Sequence, residues 1–217
     1  MDKEFWSNAW NERKIGFHQS EINKNLRQFS SLFGQKSGDS ILVPLCGKTL
    51  DMIYLQQLNF KIDGVEIVEQ AIKEFFSENN LIPKISNEKN FTRYSHDDYS
   101  LYLGDFHQFE NLNKKYKFVY DRASMIALPP ELRKNHAQSL KNLTLSGSKI
   151  LLITLEYDQE KVPGPPFSVL KSEVEILFND SFIIQELKSE STSNIGPKFK
   201  DAGINKVYQR VYLLEKI

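Results

Sequence analysis

The chain has 217 residues, of which 40% are hydrophobic, and its 28 Lys and Arg balance 28 Asp and Glu to a formal net charge of zero. Length and apolar content suit one α/β domain spanning residues 1–217 and exclude a chain disordered throughout. Balanced charge leaves no basic field for nucleic acid or an anionic membrane, so the expected partner is a small molecule.

Cys46 is the single cysteine, which excludes an internal disulfide and a cysteine metal cluster. The opening MDKEFWSNAW lacks an apolar run, and no later window reaches the roughly 18 apolar residues of a spanning helix. A monomeric cytoplasmic protein is expected.

Residues 1–33 read as a helical arm carrying Phe5, Trp6 and Trp10, which need a surface to pack on; the open edge of a ligand crevice is one candidate. Short apolar runs at 40–45, 61–65, 100–103, 117–120 and 149–155 then alternate with helical patterns at 50–58, 68–79 and 130–143. That alternation predicts a parallel sheet with helices on both faces. In the second helix Ala71, Ile72, Phe75 and Phe76 form one apolar stripe. The stretch VPGPPF at 162–167 follows a strand end and reads as a stiff loop beside the site. Beyond residue 170 a helix at 171–178 precedes strands at 181–187 and 206–214, joined by a long polar connection over 188–205. The fold class is therefore α/β: a sheet that begins parallel and finishes with an antiparallel hairpin.

In such sheets ligands bind at the carboxyl edge of the strands, where helix N-termini and loop amides converge. The first strand runs into Leu45-Cys46-Gly47, where a glycine lets backbone approach a ligand, although plain turn chemistry needs no more. Glu66 ends the second strand 19 residues after Gly47, a spacing suited to gripping two ribose hydroxyls; its plainer role is a cap for the next helix. A dinucleotide needs G-x-G-x-x-G, and LCGKTLD offers one glycine, so nicotinamide and flavin are disfavoured. S-adenosylmethionine has ribose and adenine but no phosphate, and fits better. Gly104, Asp105 and Phe106 offer an acceptor and an apolar face to adenine, and Arg122 a cation for an anionic group, unless Asp121 and Arg122 form an ion pair. Cys46 reads as a small buried side chain. His18, His96, His107 and His136 lack metal-ligand spacing, so no metal is expected. His18 either orders substrate or caps the arm.

The strings Phe5-Trp6-Ser7-Asn8-Ala9-Trp10, Gly16-Phe17-His18, VPLCGKTLDM at 43–52, GVEIVEQAIKEFF at 64–76, YDRASMIALPP at 120–130 and GPPFSV at 164–169 occur in order over nearly the whole chain. Together they resemble the thiopurine S-methyltransferase family. The resemblance implies a Rossmann-like class I methyltransferase fold, with a seven-stranded, mostly parallel sheet and an N-terminal helical cover that closes over the cofactor. It puts Trp10, Leu45, Glu66 and Arg122 on S-adenosylmethionine, Gly104 and Asp105 near the adenine, and Phe17 between cofactor and substrate. Ala123 and Ser124 stand where some members carry Gly-Ala, and Lys198 to Lys200 where some have an arginine facing substrate. The implied reaction is in-line methyl transfer to a small aromatic or heterocyclic thiol, with Arg122 as an orienting residue and no residue identified as catalytic. Two alternatives stand beside it: an acceptor that is a selenium or tellurium species or another small thiol, and a non-catalytic nucleotide-sensing or protein-binding module.

Overall fold

The computed structural model describes residues 3–193 and 195–217; residues 1 and 2 of the expected arm and residue 194 of the polar connection lie outside the described residues. The arm holds α1 (Lys3–Asn11), α2 (Lys24–Phe29) and a 3-10 turn, Ser30–Phe33. Next come β1 (Ser40–Pro44), α3 (Asp51–Gln57), β2 (Lys61–Glu66), α4 (Glu69–Glu78), β3 (Lys84–Glu88), β4 (Phe91–His96) and β5 (Tyr99–Leu103). A 3-10 segment, Phe106–Leu112, leads to β6 (Tyr116–Arg122), α5 (Ser124–Ala127), α6 (Pro130–Leu143) and β7 (Thr144–Glu156). The chain finishes with α7 (Lys171–Phe178), β8 (Phe182–Thr192), α8 (Pro197–Asp201) and β9 (Val207–Lys216).

Among the described residues one sheet has nine strands in the order β3-β4-β5-β2-β1-β6-β7-β9-β8. The five from β5 to β7 are parallel, and both edges are antiparallel. All seven expected strands are present, and the β3–β4 hairpin raises the strand count to nine. Along β1 the side chains alternate between two cores. Ile41 and Val43 pack with Met52, Leu55, Ile72 and Phe75 on one face; Leu42 packs with Tyr102, Leu140 and Val174 on the other. Burial on both faces is why the central strands read as unbroken apolar runs. The strand order reverses at β1, whose neighbours are β2 and β6, so the carboxyl end of β1 opens a crevice between those two connections.

Local chemistry sets the helix starts. The Asn23 side chain accepts from the N–H groups of Asn25 and Leu26 and caps α2, and α6 begins on Pro130, whose missing N–H costs nothing in the first turn. Asp51 ties the arm to the sheet: its Oδ1 accepts from the Asn23 N–H at 2.7 Å and its Oδ2 from the Tyr120 hydroxyl at 2.9 Å.

Candidate active site

At the carboxyl edge, β1 turns through Leu45 and Gly47, both left-handed, at φ 47° and 54°. Gly47 adopts this without a Cβ penalty. Its N–H donates to Glu66 Oε2 at 2.8 Å, while Glu66 Oε1 accepts from the Ile67 and Val68 N–H groups, also at 2.8 Å. A carboxylate has about four acceptor positions. Three are filled, so Glu66 caps the start of α4 and retains one position on Oε2. The Gly47 N–H is thus committed to Glu66 and not turned toward a ligand. Glu66 is only 7% exposed, and burial pushes its carboxyl above the ordinary value against the opposing pull of those three N–H groups.

The Gly104 N–H donates to the Glu66 carbonyl at 2.9 Å, joining the ends of β5 and β2. A Cβ on Gly104 would lie 2.4 Å from the Phe91 ring, so glycine is what admits that ring. Asp105 is exposed and accepts from the His107 N–H at 2.9 Å; Phe106 is buried behind it. Arg122, partly buried at the end of β6, reaches the Phe17 carbonyl through a long 3.4 Å contact and has no carboxylate partner among the described residues. Asp121 does not pair with it. Adjacent strand residues face opposite sides of a sheet, and Asp121 bonds His136 Nε2 at 2.7 Å beneath the sheet, both side chains fully buried. Ala123 follows in left-handed backbone at φ 74°, and the Ser124 hydroxyl donates to the Pro44 carbonyl at 2.9 Å.

The arm lies over this edge. Trp10, 2% exposed, packs on Val68 and Ala71, and meets Phe17 edge-on with ring centroids 5.8 Å apart. Trp6 contacts Phe17 at 5.5 Å and Phe5 at 5.2 Å. Lys48 sits 5.9 Å from the Trp10 ring centroid and bonds Glu74 at 2.7 Å and Glu78 at 2.6 Å; Glu74 also holds Arg13 of the arm at 2.7 Å. This latch was not foreseen beyond the LCGKTLD string, although Glu74 and Glu78 lie one turn apart on α4. Asp51 ends the same string, but nothing in the sequence marks its bonds to Asn23 and Tyr120. Burial and the nearby Lys48 and Arg122 cations lower the His18 pKa, which favours a neutral imidazole. His18 also lines a cavity of about 550 Å³ between the arm and Leu155, Glu190 and Gln209. Gly47, Glu66 and Arg122 do not line that cavity, so His18 marks the junction between crevice and cavity.

The GPPF loop docks on the same side. The Phe167 N–H donates to the Ile126 carbonyl at 2.6 Å, the Tyr157 hydroxyl to the Pro166 carbonyl at 2.6 Å, and Lys198 to the Pro165 carbonyl at 3.0 Å. Lys198, at the position noted for substrate contact, is turned onto this loop.

Comparison with known proteins decides the family. The family model described as thiopurine S-methyltransferase (TPMT) matches residues 1–217. The chain belongs to the thiopurine S-methyltransferase family. A thiopurine S-methyltransferase of Pseudomonas fluorescens is 38% identical over 217 residues, covering 100% of this chain and 98% of that protein. A solved S-adenosylmethionine-dependent methyltransferase from Anabaena variabilis superposes with a TM-score of 0.67 at 15% identity, over 99% of this chain and 95% of the other. Magnesium protoporphyrin IX methyltransferase from Synechocystis, solved with bound S-adenosylhomocysteine, gives 0.66 at 15% identity over all of both chains. At such identities these two neighbours speak for the fold, which is the class I Rossmann-like fold. Family membership makes the chain an S-adenosylmethionine-dependent methyltransferase. Among the described residues no helix is long and apolar enough to cross a membrane.

Proposed function

We propose that this chain methylates the sulfur of small aromatic or heterocyclic thiols, with Trp10, Leu45, Gly47, Glu66, Gly104, Asp105 and Arg122 around the cofactor and Phe17 and His18 toward the acceptor. The full-length match to the family carries the reading. The donor set suits the cofactor: Glu66 keeps one open acceptor for a ribose hydroxyl, Asp105 is an exposed carboxylate for the adenine amine, and Arg122 has no carboxylate partner among the described residues. Bound S-adenosylmethionine supplies an electrophilic methyl group on a sulfonium sulfur.

The protein's part is alignment and exclusion of water, because charge is consumed as an anionic sulfur meets a cationic donor. Trp10 and Phe17 roof the crevice, Arg122 holds an anion, and the neutral His18 orients the acceptor. An aromatic thiol is substantially ionised near neutral pH, so no strong general base is needed. A monomer acting in the cytoplasm on a small molecule completes the reading.

Calorimetric titration with S-adenosylhomocysteine, run beside Glu66→Ala, tests the cofactor site; the variant is expected to lose about 1–3 kcal/mol, the cost of unpaired buried partners. An acceptor screen follows with thiopurines, thiophenols, alkyl thiols and selenium and tellurium oxyanions. Methylation confined to the chalcogen oxyanions would replace the thiol assignment, and no binding by folded wild type would favour a non-catalytic module.

A further inference from the structure

Asp121 and His136 form a hydrogen bond that nothing in the reaction uses, with both side chains fully buried. Asp121 Oδ1 and His136 Nδ1 have no partner among the described residues, so the pair is held at the expense of two desolvated polar atoms. Such a pair contributes little to stability compared with apolar side chains of the same volume, and its position suggests another use. Asp121 immediately precedes Arg122. The turn after it, through Ala123 at φ 74°, is anchored on its far side by Ser124 on the Pro44 carbonyl. The His136 ring lies against Phe106, centroids 5.0 Å apart, and Phe106 follows Gly104 and Asp105 at the end of β5. From α6, His136 therefore touches the supports of two strand ends at once.

We infer that His136 is a positioning residue: through Asp121 it fixes the turn that presents Arg122, and through Phe106 it fixes the Gly104–Asp105 edge. This rests on the cofactor reading above. A donor at Nε2 is the necessary property, and the ring alone is insufficient.

The test compares His136→Phe, which keeps ring volume against Phe106 and removes the donor, with His136→Gln, whose amide can still donate to Asp121. S-adenosylhomocysteine Kd is measured by calorimetry well below each variant's Tm, together with KM for S-adenosylmethionine and kcat. The expected result is a Kd raised about tenfold in His136→Phe, the size of one lost hydrogen bond, with KM rising in step and kcat changing less; His136→Gln stays within about twofold of wild type. Should His136→Phe not fold, His136→Leu takes its place. A folded donor-less variant with wild-type Kd, or a His136→Gln variant that loses as much as His136→Phe, would overturn the inference while leaving the cofactor reading intact. Failure of wild type to bind would instead remove the reading itself.

Discussion

Ala123 carries a Cβ in left-handed backbone in the turn after β6. A left-handed alanine carries roughly 1–2 kcal/mol of steric cost, and at φ 74° a glycine would carry none. Ala123→Gly regains that cost but makes the unfolded chain more flexible by about 0.4–1 kcal/mol. The net expectation is a gain of up to about 1.6 kcal/mol, read as a higher urea midpoint at unchanged m-value. Glu66 makes a pH prediction. Its folded pKa lies above the ordinary 4.5, so the carboxylate that would accept the ribose hydroxyl is lost on acidification at a pH higher than an ordinary glutamate would give. The fall in affinity for S-adenosylhomocysteine on acidification should therefore have its midpoint above pH 4.5, and calorimetry across pH 4 to 7 checks it; a midpoint at or below 4.5 would remove Glu66 as the cause. The same shift has the opposite sign for stability of the unliganded fold. Its contribution is full below the unfolded value and declines as pH rises through the folded one.

At the scale of elements, the β3–β4 hairpin shows both what the sequence reveals and what it hides. The central strands are legible because burial on two faces makes them apolar throughout; KISNE of β3 is almost wholly exposed and FTRYSH of β4 buries only Phe91 and Tyr94. No period-2 alternation marks these runs. The pairing of β4 with β5, and of β3 with β4, supplies the hydrogen bonds that their side chains do not advertise. For the same reason β8 runs on to Thr192, five residues beyond its apolar part, because β9 continues to pair with its polar end through the register shift after Glu186. Among the proposed site residues, Gly47 and Glu66 are marked by their spacing along the chain, whereas Trp10, Leu45 and Phe17 are pointed to by the family resemblance alone. Supports that depend on elements meeting in space, such as Asp51 with Asn23 or Asp121 with His136, leave no such spacing. The hidden hairpin bears on a legible residue: Phe91 occupies the space that a Gly104 side chain would need. Gly104→Ala is expected to lower stability by about 1–3 kcal/mol, the range of core overpacking, and to weaken S-adenosylhomocysteine binding by displacing the β5 end. Denaturation and calorimetry on the variant report the two effects separately.

For the whole molecule, the two apolar clusters share one sheet, with Ile41 and Leu42 of β1 contributing to opposite sides. Melting one face exposes the other face of the same strands, so one cooperative transition is expected in calorimetry. Ligand present at about 100 times its Kd adds roughly 2.7 kcal/mol, which for a chain of this size raises Tm by about 5–10 °C. A second resolved transition, moved independently by ligand, would divide the molecule into two folding units.

Cys46 sits inside the turn between Leu45 and Gly47, wedged so closely that a Cβ on Gly64 would lie 2.8 Å from its sulfur. Burial holds its thiol well above the ordinary pKa. Exchange chemistry requires a thiolate with access to its target. An enzyme proposed to handle thiols, whose oxidised forms are disulfides, thus carries its one sulfhydryl where it cannot be captured as a mixed disulfide. Exposure to its own oxidised acceptors should leave the native enzyme unmodified, and labelling by an aromatic disulfide reagent should proceed only at the rate at which the fold opens.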